Sequence, residues 1–124
     1  MARILLAEDE EALRAFITRA LVQDGHEVVA AADGAEALDA LLRDQGRFDL
    51  LLTDIRMPIM DGIALALAAA RDHPDLMILL MTGYADQRER AHGLDALIHD
   101  VIAKPFSLAE IKGAVAEALA AKMR

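Results

Sequence analysis

The chain has 124 residues, 56% of them hydrophobic and 3% aromatic, which is enough apolar material for the core of one domain and too little chain for two. It contains no Cys, so disulfides, thiolate metal sites and Cys nucleophiles are excluded. A formal net charge of −8 opposes the phosphate neutralisation on which nucleic-acid binding depends, and no direct nucleic-acid contact is expected.

Apolar runs of strand length alternate with segments of helical period. Arg3–Ala7 is the first run, and it passes straight into Glu8-Asp9-Glu10-Glu11. Leu13, Phe16, Ile17, Ala20 and Leu21 then follow the stripe of an amphipathic helix, with Gly25 as its stop. Val28–Ala31 is the second run. Asp33 with Glu36 resembles a capping box before a helix carrying Leu38, Leu41 and Leu42. Leu50-Leu51-Leu52 is the third run, entered through Phe48-Asp49, and Asp61-Gly62 opens a helix that ends near His73-Pro74. Leu76–Met81 is the fourth run, followed by a weaker, polar helical segment at Ala85–Ala91 with Gly93 after it. Val101-Ile102-Ala103 is the fifth, and Ser107 with Glu110 is a full capping box for a last helix carrying Leu108, Ile111, Val115, Ala118 and Leu119.

The runs are continuous rather than alternating, as in strands covered on both faces. The order is a fivefold strand–helix repeat, which predicts an α/β fold with a five-stranded parallel sheet between two helical layers. There is no linker or low-complexity tract, so residues 1–124 are expected to form a single domain with no output domain. No stretch approaches the roughly 18 uncharged apolar residues of a membrane span, and the N-terminus lacks a signal-peptide pattern. A soluble, cytoplasmic protein without membrane insertion is expected.

In a parallel sheet all strand C-termini share one edge, where ligands bind. The first run is followed there by Glu8 and Asp9, the third by Thr53 and Asp54, the fourth by Thr82 and the fifth by Lys104. Clustered carboxylates repel one another, and a hard divalent cation such as Mg2+ relieves the repulsion through oxygen ligands. One carboxylate oxygen is then free to attack phosphorus, as Asp nucleophiles do. The Lys and the Thr hydroxyl can hold phosphoryl oxygens, the main task in phosphoryl transfer.

At these residues the chain resembles the bacterial response-regulator receiver family. The resemblance rests on Glu8-Asp9, on Leu52-Thr53-Asp54-Ile55-Arg56-Met57-Pro58, on Asp61-Gly62, on Thr82-Gly83 and on Lys104-Pro105-Phe106, and it covers the whole chain in order and spacing. It implies a CheY-like, flavodoxin-like sheet of order 2-1-3-4-5 with five helices, and a cis Lys104–Pro105 bond. Asp54 would be the phosphoacceptor. Asp9, Asp54 and the backbone carbonyl of Arg56 would ligate Mg2+, with Glu8 acting through metal-bound water. Thr82 and Lys104 would bind the phosphoryl group. The implied donor is a histidine kinase or a histidine phosphotransferase, docking near Arg14, Thr18 and Pro105-Phe106. The only chemistry implied is the protein's own phosphorylation and dephosphorylation, so it is not expected to be an enzyme acting on others. Within the family, the opening Met-Ala-Arg-Ile-Leu-Leu-Ala-Glu-Asp resembles stand-alone cell-cycle regulators of alphaproteobacteria. That likeness implies an adaptor output toward the ClpXP protease, with ClpX as partner.

Two departures matter. The family often carries an aromatic residue three positions before the Lys, and here that residue is Val101. Arg56 and Tyr84 stand at the variable positions flanking the phosphoryl group, where they should affect phosphate lifetime.

Each site residue has a plainer reading. Glu8 and Asp9 suit a helix N-terminus, Asp54 a buried cap, Thr82 a strand-end hydroxyl and Lys104 a solvated ammonium. Their joint placement on one edge favours the receiver reading. Haloacid-dehalogenase-type phosphatases also use an Asp nucleophile with magnesium, but they need a second Asp where this chain has Arg56. A pseudo-receiver would lack the acidic pair or the Lys. A flavin-binding fold would need a Ser/Thr/Gly-rich loop after the first strand. His26, His73, His92 and His99 lack ligand spacing.

Overall fold

The computed structural model describes residues 2–44, 47–83, 93–94 and 96–122. The five apolar runs form strands β1 (Arg3–Ala7), β2 (Glu27–Ala31), β3 (Leu50–Asp54), β4 (Met77–Thr82) and β5 (Asp100–Ala103). Between and after them lie helices α1 (Glu11–Gln23), α2 (Gly34–Arg43), α3 (Gly62–Asp72) and α4 (Leu108–Lys122). All four strand pairings are parallel, and the sheet order is β2-β1-β3-β4-β5. The polar helix expected at Ala85–Ala91, which would make five helices, lies outside the described residues.

Period-two alternation sends neighbouring side chains of the central strands to opposite faces. Leu5, Leu51, Ile78 and Leu80 pack with Ala37, Leu41, Leu65 and Ala69 of α2 and α3. Ile4, Leu6, Leu50, Leu52, Leu79 and Met81 pack with Ile17, Leu21, Ile111 and Val115 of α1 and α4. Both faces are therefore dry over β1, β3 and β4, as the unbroken apolar runs require, while the edge strands β2 and β5 are only partly buried.

The helix signals act locally as the residue types dictate. Gly25 adopts φ 88°, and its N–H donates to the Val22 carbonyl at 2.9 Å while the His26 N–H reaches Leu21 at 3.2 Å, a Schellman stop for α1. Asp33 caps α2 by accepting from the Glu36 N–H at 2.8 Å. Ser107 and Glu110 satisfy each other's backbone N–H groups at 3.1 and 2.9 Å at the start of α4. The predicted stripes are less uniform. Phe16, Leu42 and Leu108 are exposed, while in α2 the predicted Leu41 is buried, Leu38 packs partly buried against the core, and Ala37 and Ala40 add to that contact.

The loop after β3 is held by two close approaches. A Cβ on Gly62 would lie 1.9 Å from the Asp54 carbonyl oxygen, and one on Gly34 would lie 2.2 Å from that of Met60. Between them the Met60 N–H donates to the Pro58 carbonyl at 2.7 Å around Ile59, whose φ of 71° is costly for a β-branched residue. Ile59 is 83% exposed, so no packing compensates for that backbone.

Two stability outcomes follow from this loop. Gly62→Ala should lower unfolding free energy by about 3 kcal/mol in urea titration, because the methyl meets backbone that carries Asp54. Ile59→Gly should raise it by about 1 kcal/mol, the relief of left-handed strain exceeding the added freedom of the unfolded chain.

Candidate functional site

The sheet ladders deliver the candidate residues to one edge. The Glu8 N–H donates to the Ala31 carbonyl at 3.0 Å, extending β1 by one residue. Asp54 closes β3 opposite Met81, and Thr82 closes β4 opposite Ala103. The Lys104 N–H donates to the Thr82 carbonyl at 2.7 Å, and the following Lys104–Pro105 bond is cis. Each side chain thus leaves a backbone whose position is fixed by its neighbour strand.

Glu8, Asp9 and Asp54 bring ligand-capable oxygens within 4.8 Å of one another, and among the described residues theirs is the one such cluster of His, Asp and Glu. Glu8 is fully buried, Asp54 is 6% exposed and Asp9 faces solvent. The Lys104 ammonium spans the two buried acids, with Nζ 2.9 Å from Glu8 Oε1 and 3.1 Å from Asp54 Oδ2. The Glu10 N–H donates to Glu8 Oε2 at 3.0 Å, and the Ile55 N–H donates to Asp54 Oδ1 at 3.0 Å. The Arg14 guanidinium donates to the Glu8 carbonyl at 3.0 Å and so ties α1 to the loop that carries Asp9.

Burial pushes the Glu8 and Asp54 carboxyls above their ordinary values, against the pull of their hydrogen bonds and of Lys104. Neighbouring charge adds to the rise, Asp54 acting on Glu8 and Asp9 on Asp54. Burial lowers Lys104, but the Glu8 and Asp54 carboxylates outweigh it and hold the ammonium above its ordinary value. The site therefore carries more negative than positive charge in a low-dielectric setting. That is the donor set of a hard divalent cation, and Mg2+ fits it through carboxylate oxygens.

Thr82 is nearly fully buried at the end of β4, while Arg56 is exposed in the loop after β3. An open cleft over the carboxylates is lined by Asp9, Asp54, Arg56, Gly83, Lys104 and Phe106 among others. Among the described residues, none other than its chain neighbours comes within 4 Å of where a Gly83 Cβ would be. Val101 is partly buried against the core on the α2–α3 side. Tyr84 and His92 lie outside the described residues.

Sequence reasoning gathered these residues on one edge but missed two contacts. The direct Glu8–Lys104 pair joins residues 96 apart, and no local signal announces it. The pressing of Gly62 onto Asp54 is signalled only by a Gly directly after a helix-capping Asp.

Comparison with known proteins agrees with this geometry. Residues 4–116 match the response regulator receiver domain. The response regulator receiver protein CpdR of Brucella abortus (strain 2308) is 40% identical over 121 residues, 98% of this chain and 99% of CpdR. MprA of Mycobacterium avium (strain 104) is 39% identical over 88% of this chain, which spans about half of MprA, 47%. A CheY-like receiver domain from Methanospirillum hungatei JF-1 superposes with a TM-score of 0.90 at 28% identity, covering 99% of this chain and 97% of that one. TrrA from Thermotoga maritima, solved in complex with Mg(2+)-BeF, gives 0.83 at 30% identity over 95% of this chain and 99% of its own. With sheet order, sheet-edge acids and Lys104 all in place, the chain belongs to the response regulator receiver family.

Proposed function

We propose that this protein is a single-domain signalling switch of a phosphorelay, phosphorylated on Asp54 and read out by protein binding. The observation that carries the reading is the meeting of Glu8, Asp9 and Asp54 within 4.8 Å beside the Lys104 ammonium. Such a set suits holding a phosphoryl group and little else that a buried acidic edge could do.

Asp9, Asp54 and the Arg56 backbone carbonyl would hold Mg2+, with Glu8 contributing through water. The bound ion would supply charge neutralisation to the phosphoryl oxygens. An Asp54 carboxylate oxygen attacks the phosphorus of a phosphohistidine. The new O–P bond forms as the N–P bond breaks, and the electron pair returns to the donor's imidazole. Lys104 and the Thr82 hydroxyl then bind phosphoryl oxygens. The donor is a histidine kinase or histidine phosphotransferase, docking on the α1 face that carries Arg14 and Thr18 and on Pro105-Phe106, which line the cleft. The protein catalyses only its own phosphorylation and dephosphorylation. Against a phosphatase, Arg56 stands where that chemistry needs a second Asp.

Output follows from a population shift, in which Thr82 is drawn toward the phosphoryl group and the face around β5 and α4 is remodelled. Val101 stands where many receivers carry an aromatic switch residue, so a ring rotation there is not part of the device. The likeness to CpdR over nearly both full lengths supports an adaptor output, with ClpX of the ClpXP protease as the partner class. No helix among the described residues is long and apolar enough to cross a membrane, in keeping with a cytoplasmic site of action.

Incubation with acetyl phosphate and magnesium should add one phosphoryl mass to the wild type, and Asp54→Asn should abolish the adduct. A wild type that stays unmodified in intact mass spectra contradicts the proposal. A second outcome concerns pH. Because the folded pKa of Asp54 is raised, the folded protein binds more protons than the unfolded chain above about pH 4, and its contribution to stability falls as pH rises through the folded pKa. Without metal, Asp54→Asn should therefore melt a few degrees above wild type at neutral pH, and the difference should shrink toward pH 4. Millimolar magnesium should raise the melting temperature of wild type more than that of the variant.

A further inference from the structure

The buried polar side chains among the described residues are Glu8, Thr53, Asp54 and Thr82, and of these only Thr53 has no part in the chemistry above. It is 0% exposed and precedes Asp54 on β3. Its side chain shares the parity of Leu51 and Ile55, which pack on the α2–α3 side, so it stands behind the cleft rather than in it. A hydroxyl there is dry and needs an acceptor. Thr53 Oγ1 donates to the Asp54 carbonyl oxygen at 2.9 Å, with Met57 Sδ a weak second acceptor at 4.0 Å. Branching at Cβ restricts the side-chain torsion and holds the hydroxyl on that aim.

That carbonyl is one end of the planar Asp54–Ile55 peptide, and the Ile55 N–H is the other. The N–H is shared between the Met81 carbonyl at 3.1 Å and Asp54 Oδ1 at 3.0 Å. Gly62 presses on the same carbonyl from α3, where a Cβ would lie 1.9 Å from its oxygen. Because the peptide is rigid, turning its carbonyl away from Thr53 turns its N–H away from Oδ1 as well. The aim of the Asp54 carboxylate is thus tied to a hydroxyl on the opposite side of the sheet.

We propose that Thr53 is a positioning residue for phosphoryl transfer, its hydroxyl fixing the peptide whose N–H orients the Asp54 carboxylate. The inference rests on the reading of Asp54 as the phosphoacceptor. In-line attack needs a carboxylate oxygen held toward phosphorus, and a carboxylate that rotates freely is seldom so placed. Without the hydroxyl the peptide loses one of its anchors, it can tilt, and the carboxylate gains rotamers that do not present an oxygen to the cleft. Thr53 touches no reactant. Its effect falls on the rate at which a folded molecule reacts. A hydroxyl that only filled a packing position would change stability and leave the rate of the folded protein alone.

The test compares wild type with Thr53→Val, which is nearly isosteric but lacks the donor, and with Thr53→Ser, which keeps it. Each is phosphorylated with acetyl phosphate at saturating magnesium, well below its melting temperature, with circular dichroism confirming the fold. Thr53→Val should react about tenfold more slowly or worse, the loss typical of a partner that orients a ligating carboxylate, and Thr53→Ser should recover most of it. In proton–nitrogen spectra of the metal-free proteins the Ile55 amide proton should move upfield in Thr53→Val and return in Thr53→Ser, the signature of a weakened bond to Asp54 Oδ1. A folded Thr53→Val that reacts at the wild-type rate overturns the proposal. So does a slow Thr53→Val whose Ile55 amide stays in place, or a loss that Thr53→Ser does not recover. Should Thr53→Val fail to fold, Thr53→Ala takes its place under the same criteria. A wild type that takes up no phosphoryl group overturns the reading of Asp54 itself, a distinct failure.

Discussion

The structure turns on an uncompensated electrostatic load at the C-terminal edge of the sheet. Three carboxylates converge within 4.8 Å, two of them buried, and one ammonium spans the buried pair. Water would screen such charges, but the core beneath them excludes it. Burial costs each ionised carboxylate more than its hydrogen bonds return, which is why Glu8 and Asp54 both resist ionisation. An edge built this way has an affinity for added positive charge, and the chemistry attributed to Asp54 uses that affinity.

The remainder of the fold can be understood as the means of holding that load in place. Strands β1, β3 and β4 are apolar on both faces, so the acids sit at the end of the most deeply buried strands of the sheet. The ladder continues past the strand ends, through Glu8 to Ala31, Ile55 to Met81 and Lys104 to Thr82. Gly62 lets the start of α3 press on the backbone of Asp54, and Met60 presses on Gly34 of α2. The repulsion at the edge is met by packing at a distance, and stability is spent there on a functional site.

What could be read from residues alone follows the same division. Leu50-Leu51-Leu52 and Leu76–Met81 announce buried parallel strands because period two is lost when both faces are covered. Asp33, Gly25 and Ser107 announce helix ends because their chemistry is local. Once the strands are placed, Glu8, Asp9, Asp54, Thr82 and Lys104 fall on one edge by topology. Contacts that depend on three-dimensional approach leave weaker traces. Leu42 and Phe16 fit a helical stripe but are exposed, and on α2 the small residues Ala37 and Ala40 are buried beside Leu41. The Glu8–Lys104 pair links the first and last strands and has no signature short of the whole fold. Ile59 shows no strain signal either, because its left-handed backbone is imposed by the turn between Pro58 and Met60.

The central claim is that separate strands supply carboxylates to one shared divalent ion. Paramagnetic relaxation by substoichiometric manganese, read in a proton–nitrogen spectrum, tests it residue by residue. The account predicts that the amides of Glu8 to Glu10 and of Asp54 to Arg56 broaden first and together, and that excess magnesium restores them. Broadening that begins at surface acids such as Asp72 or Glu117, with Asp9 and Asp54 left sharp, would contradict it.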